Sequence, residues 1–129
     1  MVSVNVNTRT ATVTLNRAAY DHAQELIRSG HTVLDERDDW SEHQPSAAKE
    51  NEFIAKHGWD AYGRWYLGVD AEKDRDTKGH YKFPYGDFRD VHRCGVLAAE
   101  SRAGQRKYVD IELAAAHLHG MLEQERGSR

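Results

Sequence analysis

The stretch GHYKFPYGDFRDVHR, residues 79–93, joins the two halves of this chain and decides how they fold. We expect its first part, HYKFPY, to be extended, because its proline lacks a backbone donor and disfavours a helix. The second part, GDFRDVHR, predicts a helix with Asp87 as N-cap that continues to about Ala103. Arg89 and Arg93 would then lie one turn apart on one exposed face of that helix.

C-terminal to this stretch, the pattern of apolar residues predicts a second helix that begins at Asp110. Six residues recur at helical spacing and predict a face that packs on the core: Ile111, Ala114, Ala115, Leu118, Met121 and Leu122. The link between the two helices is short. We therefore predict an antiparallel helical hairpin over residues 87–125.

N-terminal to it, polar and apolar residues alternate over residues 2–15, which predicts a β-hairpin. Asn16 is a good N-cap for a following helix that Gly30 ends, and HTVLDE at residues 31–36 predicts a short strand, for which pairing with the hairpin stays open. A surface helix is predicted from Ser46 to His57, and the aromatic-rich segment after it is expected to begin with a helical turn and become extended.

These elements predict an α+β fold in one domain of 129 residues. Its parts are a β-element with a helix (residues 1–35), a surface helix with an aromatic-rich loop (36–86) and a helical hairpin (87–125). The sequence contains no long apolar run, and its alternating first residues lead us to expect no secretory signal. It contains one cysteine, Cys94, so no intramolecular disulfide can form. A cytoplasmic location is the simplest expectation.

Charge is distributed unevenly, although the net charge is only −3. Residues 31–72 contain ten acidic and four basic side chains, whereas residues 73–107 contain nine basic and five acidic ones. Either the two segments neutralise each other within the fold or the basic segment faces an acidic partner; internal pairing is the simpler interpretation.

Two pairs of residues raise the question of a zinc site: His92 with Cys94, and His117 with His119. Side chains two positions apart on a regular helix point about 200° apart, so neither pair converges on one ion if both lie in helices. Ligation across the helices by His92 and His117 stays open. We predict no metal ion and no cofactor.

Nine of the twelve aromatic residues lie between Phe53 and Phe88, beside several cationic residues. Such rings form either the core of a small domain or an exposed platform, and a core is the more common outcome. The first functional hypothesis is a non-enzymatic domain that binds a protein or nucleic acid. Its candidate contact residues are Lys82, Tyr85, Arg89, His92 and Arg93.

Two alternatives belong to other functional classes. One is a small enzyme that uses His92 as acid or base, although the sequence contains no recognised catalytic motif. The candidate pocket residues of that enzyme are Trp59, Trp65, Tyr66 and Tyr81. The other alternative is an oligomeric assembly protein that associates through its Ala-rich helix.

From Trp40 to Leu122 the chain resembles a family of small bacterial proteins of unknown function. The resemblance rests on DWSEHQPS, HGWDAYGRWYLGVD, DTKGHYKFPYGDFRDVHR, AAESRAGQ and DIELAAAHLHGML. The segments YKFPYGDF and VHRCGVLAAESRAG are also similar, more weakly, to a helical tail module of phage head-maturation and prophage proteins. This second resemblance implies a helical C-terminal half and a phage-related structural role.

Overall fold

A computed structural model describes residues 12–127 and has the α+β architecture that the sequence predicts. Two short 3₁₀ turns, Arg37–Asp39 and Lys78–His80, accompany the main elements. The predicted strand at residues 2–7 lies outside the described residues. In chain order the elements are β1 Val13–Leu15, α1 Arg17–Arg28, β2 Thr32–Val33, α2 Trp40–His43, α3 Ala47–Gly63, β3 Tyr66–Asp70, β4 Tyr81–Pro84, β5 Val91–His92, α4 Arg93–Gln105 and α5 Val109–Gly127.

The described strands form two small sheets. The first is antiparallel with the order β1–β3–β4. Four residues of HYKFPY, Tyr81–Pro84, are extended as predicted, whereas His80 ends a 3₁₀ turn. The second pairs β2 with β5 in parallel, and Val33 lies opposite His92. HTVLDE forms a short strand as predicted, and its pairing, which the sequence leaves open, is with a segment that we expected to be helical.

The first helix of the C-terminal hairpin begins at Arg93, five residues later than predicted. Phe88 has a φ of +70°, which a right-handed helix does not allow. Asp87 caps a turn instead of a helix, because its Oδ1 accepts hydrogen bonds from the backbone N–H groups of Arg89 and Asp90. Val91 is fully buried and pairs with β2, and this pairing outweighs the local helix preference of the segment.

The surface helix agrees with the prediction at both ends. The hydroxyl of Ser46 accepts a hydrogen bond from the backbone N–H of Lys49, as an N-cap should. Gly58 has a φ of +86° and divides α3 into two helical segments, the second of which leads into β3. The expected helical turn followed by an extended segment is thus confirmed.

The core lies between the antiparallel sheet, α1 and the C-terminal pair α4 and α5. The predicted apolar face of α5 is confirmed, since five of its six residues are buried and Met121 packs at the edge of the core. Most of the aromatic residues also belong to the core or pack against it. The aromatic rings therefore serve mainly as core, which was the simpler of the two interpretations.

Candidate metal centre

The five residues predicted to contact a partner do not share one exposed surface. Tyr85 is fully buried, and its hydroxyl donates a hydrogen bond to the Arg64 carbonyl at 2.6 Å. His92 is 5% exposed, and the guanidinium of Arg93 donates to Glu123 Oε2 at 2.6 Å. Lys82 is half-buried in β4 and Arg89 is exposed in the turn after Asp87. Because residues 88–92 are not helical, Arg89 and Arg93 are not neighbours on one helix face.

The four candidate pocket residues also separate. Trp59 and Tyr81 are stacked with their centroids 6.1 Å apart and line one cleft, whereas Trp65 and Tyr66 are buried in the core. His92, the candidate acid or base of that pocket, is not among the residues that line this cleft.

Charge is neutralised in part within the fold, as the simpler interpretation of the charge pattern expects. Lys78 lies 3.1 Å from Glu50, and Arg75 lies 3.7 Å from Asp60. Each of these ion pairs joins the acidic segment to the basic one.

A different group of side chains converges at the end of the parallel sheet. Asp35, His43, His92 and Cys94 each place one potential metal-ligand atom within 4.8 Å of the other three, and we call this group the Asp35 cluster. Parallel strands end at the same edge of a sheet, and β2 and β5 therefore bring Asp35 and His92 together. Cys94 follows in the first turn of α4, and His43 is the last residue of α2.

The carboxylate of Asp35 is the centre of this cluster. Its Oδ2 accepts hydrogen bonds from Nδ1 of His43 and Nδ1 of His92, both at 2.7 Å, and from Sγ of Cys94 at 3.0 Å. Its Oδ1 accepts the backbone N–H of Cys94 at 2.8 Å, which ties Asp35 to the start of α4. Sγ of Cys94 lies 3.8 Å from Nδ1 of His43.

His92 is fixed by a second carboxylate. Its Nε2 donates to Oδ2 of Asp87 at 2.9 Å, and this bond directs Nδ1 toward Asp35. A histidine that coordinates a metal commonly has such a carboxylate on its other nitrogen, because that bond sets the tautomer and the ring orientation.

The electrostatics of the Asp35 cluster follow from burial and these hydrogen bonds. Burial raises the pKa of Asp35, but hydrogen bonds from Cys94, His92 and His43 outweigh burial and lower it to about 2. Burial lowers the pKa of His92, whereas Asp87 and Asp35 raise it more, so that its net shift is upward. Burial and then the Asp35 carboxylate raise the pKa of the Cys94 thiol. Without a cation the thiol is therefore protonated and a poor nucleophile.

The segment that holds His43 is anchored by Trp40, which is 5% exposed. The Trp40 ring lies 6.2 Å from the His92 ring, and a Cβ at Gly95 would come within 2.9 Å of the indole. The site opens to solvent on the side of His43, whose side chain is 36% exposed, whereas the Asp35 side chain is only 6% exposed.

His92 and Cys94 do not both belong to a regular helix, in which they could not bind the same zinc ion. They instead lie where β5 passes into α4, and the extended residue at this junction lets both side chains face Asp35. Residues two apart face the same side of an extended chain, so the His-x-Cys spacing indicates a metal site when this segment is taken as extended and not as helical. Asp35 and His43 belong to no recognised motif, and only the pairing of β2 with β5 brings them to the site.

Comparisons with models of protein families, with curated proteins and with solved structures find no match. The resemblances to a small bacterial family and to a phage module thus stay predictions. Among the described residues, no helix has both the length and the apolar character needed to cross a membrane.

Proposed function

We propose that this chain is a metal-binding protein that holds one Zn²⁺ ion through Asp35, His43, His92 and Cys94. One observation carries the proposal: four donor groups, from the loop after β2 and from α2, β5 and α4, place their ligand atoms within 4.8 Å of one another. The proposal keeps the predicted class, a non-enzymatic binding domain, but makes a metal ion the ligand instead of a protein or nucleic acid.

The donor set favours zinc over the hard cations Ca²⁺ and Mg²⁺. Zn²⁺ accepts two imidazoles, one thiolate and one carboxylate in a tetrahedral arrangement, whereas Ca²⁺ and Mg²⁺ require oxygen ligands. In a tetrahedral site with ordinary zinc bond lengths, a sulfur and an imidazole nitrogen lie about 3.6 Å apart. Sγ of Cys94 and Nδ1 of His43 are 3.8 Å apart, close to this value.

Asp35 is the ligand that must move on binding. Its Oδ2 lies 2.7 Å from both histidine nitrogens, whereas ligand oxygen and nitrogen atoms on one zinc ion are about 3.3 Å apart. The cation would replace the protons that His43, His92 and Cys94 now donate to this carboxylate, so that binding releases protons. The positive charge of the ion favours the thiolate of Cys94, whose ionisation is disfavoured without it.

A competitive titration with a zinc-chelating dye tests the proposal on the full chain after its metal has been removed. We expect one Zn²⁺ per chain with a Kd below about 1 μM. His43→Gln and Cys94→Ala should each weaken binding by at least about tenfold, since each removes one ligand.

His31→Gln is the matched control, because His31 is an exposed histidine outside the Asp35 cluster. Circular dichroism of each variant separates loss of binding from loss of folding, and His43 is the safer position because its side chain is partly exposed. Equal zinc affinity in the wild type, His43→Gln and Cys94→Ala would refute the proposal, and so would an equal loss in His31→Gln.

A further inference from the structure

A second candidate site lies beside the Asp35 cluster and uses other side chains. A cleft of about 300 Å³ is bounded by the first half of α3 and by the turn after Asp87. The rings of Phe53 and Phe88 line it, stacked with centroids 4.5 Å apart and planes at 15°. We call it the Phe53–Phe88 cleft.

The Phe88 ring is held in place by its backbone and by the core. The turn that Asp87 caps keeps Phe88 at a φ of +70°, a conformation that is costly for a residue with a bulky side chain. The Phe88 ring also contacts Tyr62 and Trp65, at centroid distances of 5.9 Å and 6.0 Å. The wall of the cleft is thus a fixed apolar surface made by two rings that stack on each other.

Three cationic side chains surround this apolar surface: Lys49, Lys56 and Arg89. All three are exposed, and within residues 12–127 no carboxylate oxygen lies within 4.0 Å of their charged nitrogens. Two acidic residues, Glu52 and Asp87, also line the cleft. The Asp87 carboxylate is already hydrogen-bonded to His92 and to backbone N–H groups, so only Glu52 is left to offset the three positive charges. The cleft therefore has an excess of unpaired positive charge.

Lys49 and Arg89 also line a neighbouring cleft of about 380 Å³ that reaches Ser46, the N-cap of α3. Glu42, His43 and Asp87 line that second cleft too, so the positive side chains are concentrated where the two clefts meet. The positive end of a helix dipole favours anions. An anionic group between Lys49 and Arg89 would thus be attracted by two side chains and by the start of α3.

We propose that the Phe53–Phe88 cleft binds a small aromatic anion. Its carboxylate or phosphate group lies between Lys49 and Arg89, and its ring packs against Phe53 and Phe88. Arg89 can donate two parallel hydrogen bonds to such a group, and aromatic rings prefer offset stacking or edge contacts with each other. The proposal does not require a bound metal, because none of these four residues belongs to the Asp35 cluster; the cleft shares with that site only Asp87, the carboxylate that holds His92.

The test is an NMR titration of the full chain after treatment with a chelator, with phenyl phosphate and benzoate as aromatic anions. The controls are inorganic phosphate, which has only the anionic group, and benzyl alcohol, which has the aromatic ring but no charge. We expect at least one aromatic anion to shift the amide signals of Phe53, Phe88 and Arg89 and to bind about tenfold tighter than either control. The proposal would be overturned if neither aromatic anion shifted these amide signals. It would also be overturned if phenyl phosphate and inorganic phosphate bound equally tightly and benzoate caused no shift.

Variants separate the two halves of the site. Arg89→Gln should weaken the aromatic anion about tenfold or more, and Phe53→Ala should weaken it while leaving inorganic phosphate unchanged. Lys82→Ala is the control, because Lys82 is a cationic residue that lines neither cleft. An unchanged affinity in Arg89→Gln, or an equal loss in Lys82→Ala, would contradict the assignment. Because metal is absent throughout, a failure here leaves the zinc proposal unaffected.

Discussion

Nδ1 of His92 lies 2.7 Å from Oδ2 of Asp35, although the two residues are 57 positions apart in the chain. The parallel pairing of β2 with β5 makes this contact, and the same edge of the sheet leads directly into α4 and Cys94. The position of the proposed metal centre is therefore a consequence of strand pairing.

Removal of the carboxylate behind His92 should weaken zinc binding without removing a ligand. Asp87→Asn keeps the shape of the side chain but replaces the charged acceptor of the His92 Nε2–H bond. We expect zinc affinity to fall about 10–100-fold, as for other carboxylates that orient a metal-bound histidine. Competitive titration measures this loss, and Asp90→Asn is the matched control in the same turn. An unchanged affinity in Asp87→Asn would contradict the role given to this carboxylate.

Zinc should stabilise the folded chain. A ligand that binds only the folded state adds about 2.7 kcal/mol when its free concentration is roughly 100 times its Kd. Thermal unfolding with and without Zn²⁺ measures the effect, and Mg²⁺ at the same concentration is the control because it prefers oxygen ligands. The increase in Tm should disappear in His43→Gln. An equal increase in that variant would place the zinc ion at another site.

A side chain at position 95, where α4 passes close to Tyr85 and Trp40, should destabilise the fold. A Cβ at this position would lie 2.8 Å from the backbone oxygen of Tyr85 and 2.9 Å from the Trp40 ring. We expect Gly95→Ala to lower the free energy of unfolding by about 1–3 kcal/mol, because the core must shift to accommodate the methyl group. Denaturant unfolding provides the measurement.

The matched control is Gly120→Ala in α5, where an added Cβ meets nothing within 4 Å. That change should stabilise the helix by about 0.5–1 kcal/mol, since alanine is the better helix former. If both substitutions changed the free energy of unfolding in the same direction, the close approach of α4 to Trp40 would be contradicted.

Alkaline pH should destabilise the fold through its buried tyrosines. Burial raises the pKa of Tyr62 to about 12, and it also raises the pKa values of Tyr66 and Tyr85 above the usual value of about 10. The folded state thus keeps protons that the unfolded state loses, so this contribution to stability is complete below about pH 10 and decreases as pH rises toward 12.

The midpoint of urea unfolding measures this effect, and it should fall between about pH 9 and pH 11. Tyr62→Phe should show a smaller decrease over the same interval, since it removes one of the ionising groups. A midpoint that is independent of pH in the wild type would contradict the burial of these hydroxyl groups.

The elements that the sequence predicts correctly are those with a strong local signal. The apolar stripe from Ile111 to Leu122 repeats at helical spacing, and Ser46 and Gly58 mark the ends of a helix by capping chemistry. These features depend on neighbours within a few residues, so the fold class and the helical hairpin follow from the sequence alone.

The Asp35 cluster depends on contacts between distant residues and is missed for that reason. Val91 and His92 form a strand of only two residues, too short for any periodicity, and its partner is β2. The sequence predicts Asp87 as a helix N-cap, but its carboxylate accepts hydrogen bonds from the backbone N–H of Arg89 in a turn and from Nε2 of His92. A helix that began at Phe88 would direct the side chains of His92 and Cys94 about 200° apart, whereas the helix that begins at Arg93 lets both face Asp35.

The cobalt spectrum tests the metal centre most directly. Co²⁺ substitutes for Zn²⁺ in tetrahedral sites, and thiolate coordination adds a charge-transfer band in the near ultraviolet. We predict that one equivalent of Co²⁺ gives this band together with the intense visible bands of a four-coordinate ion, and that Cys94→Ser abolishes the thiolate band. A spectrum identical to that of hydrated Co²⁺, or a thiolate band that persists in Cys94→Ser, would contradict the assignment of Asp35, His43, His92 and Cys94 as metal ligands.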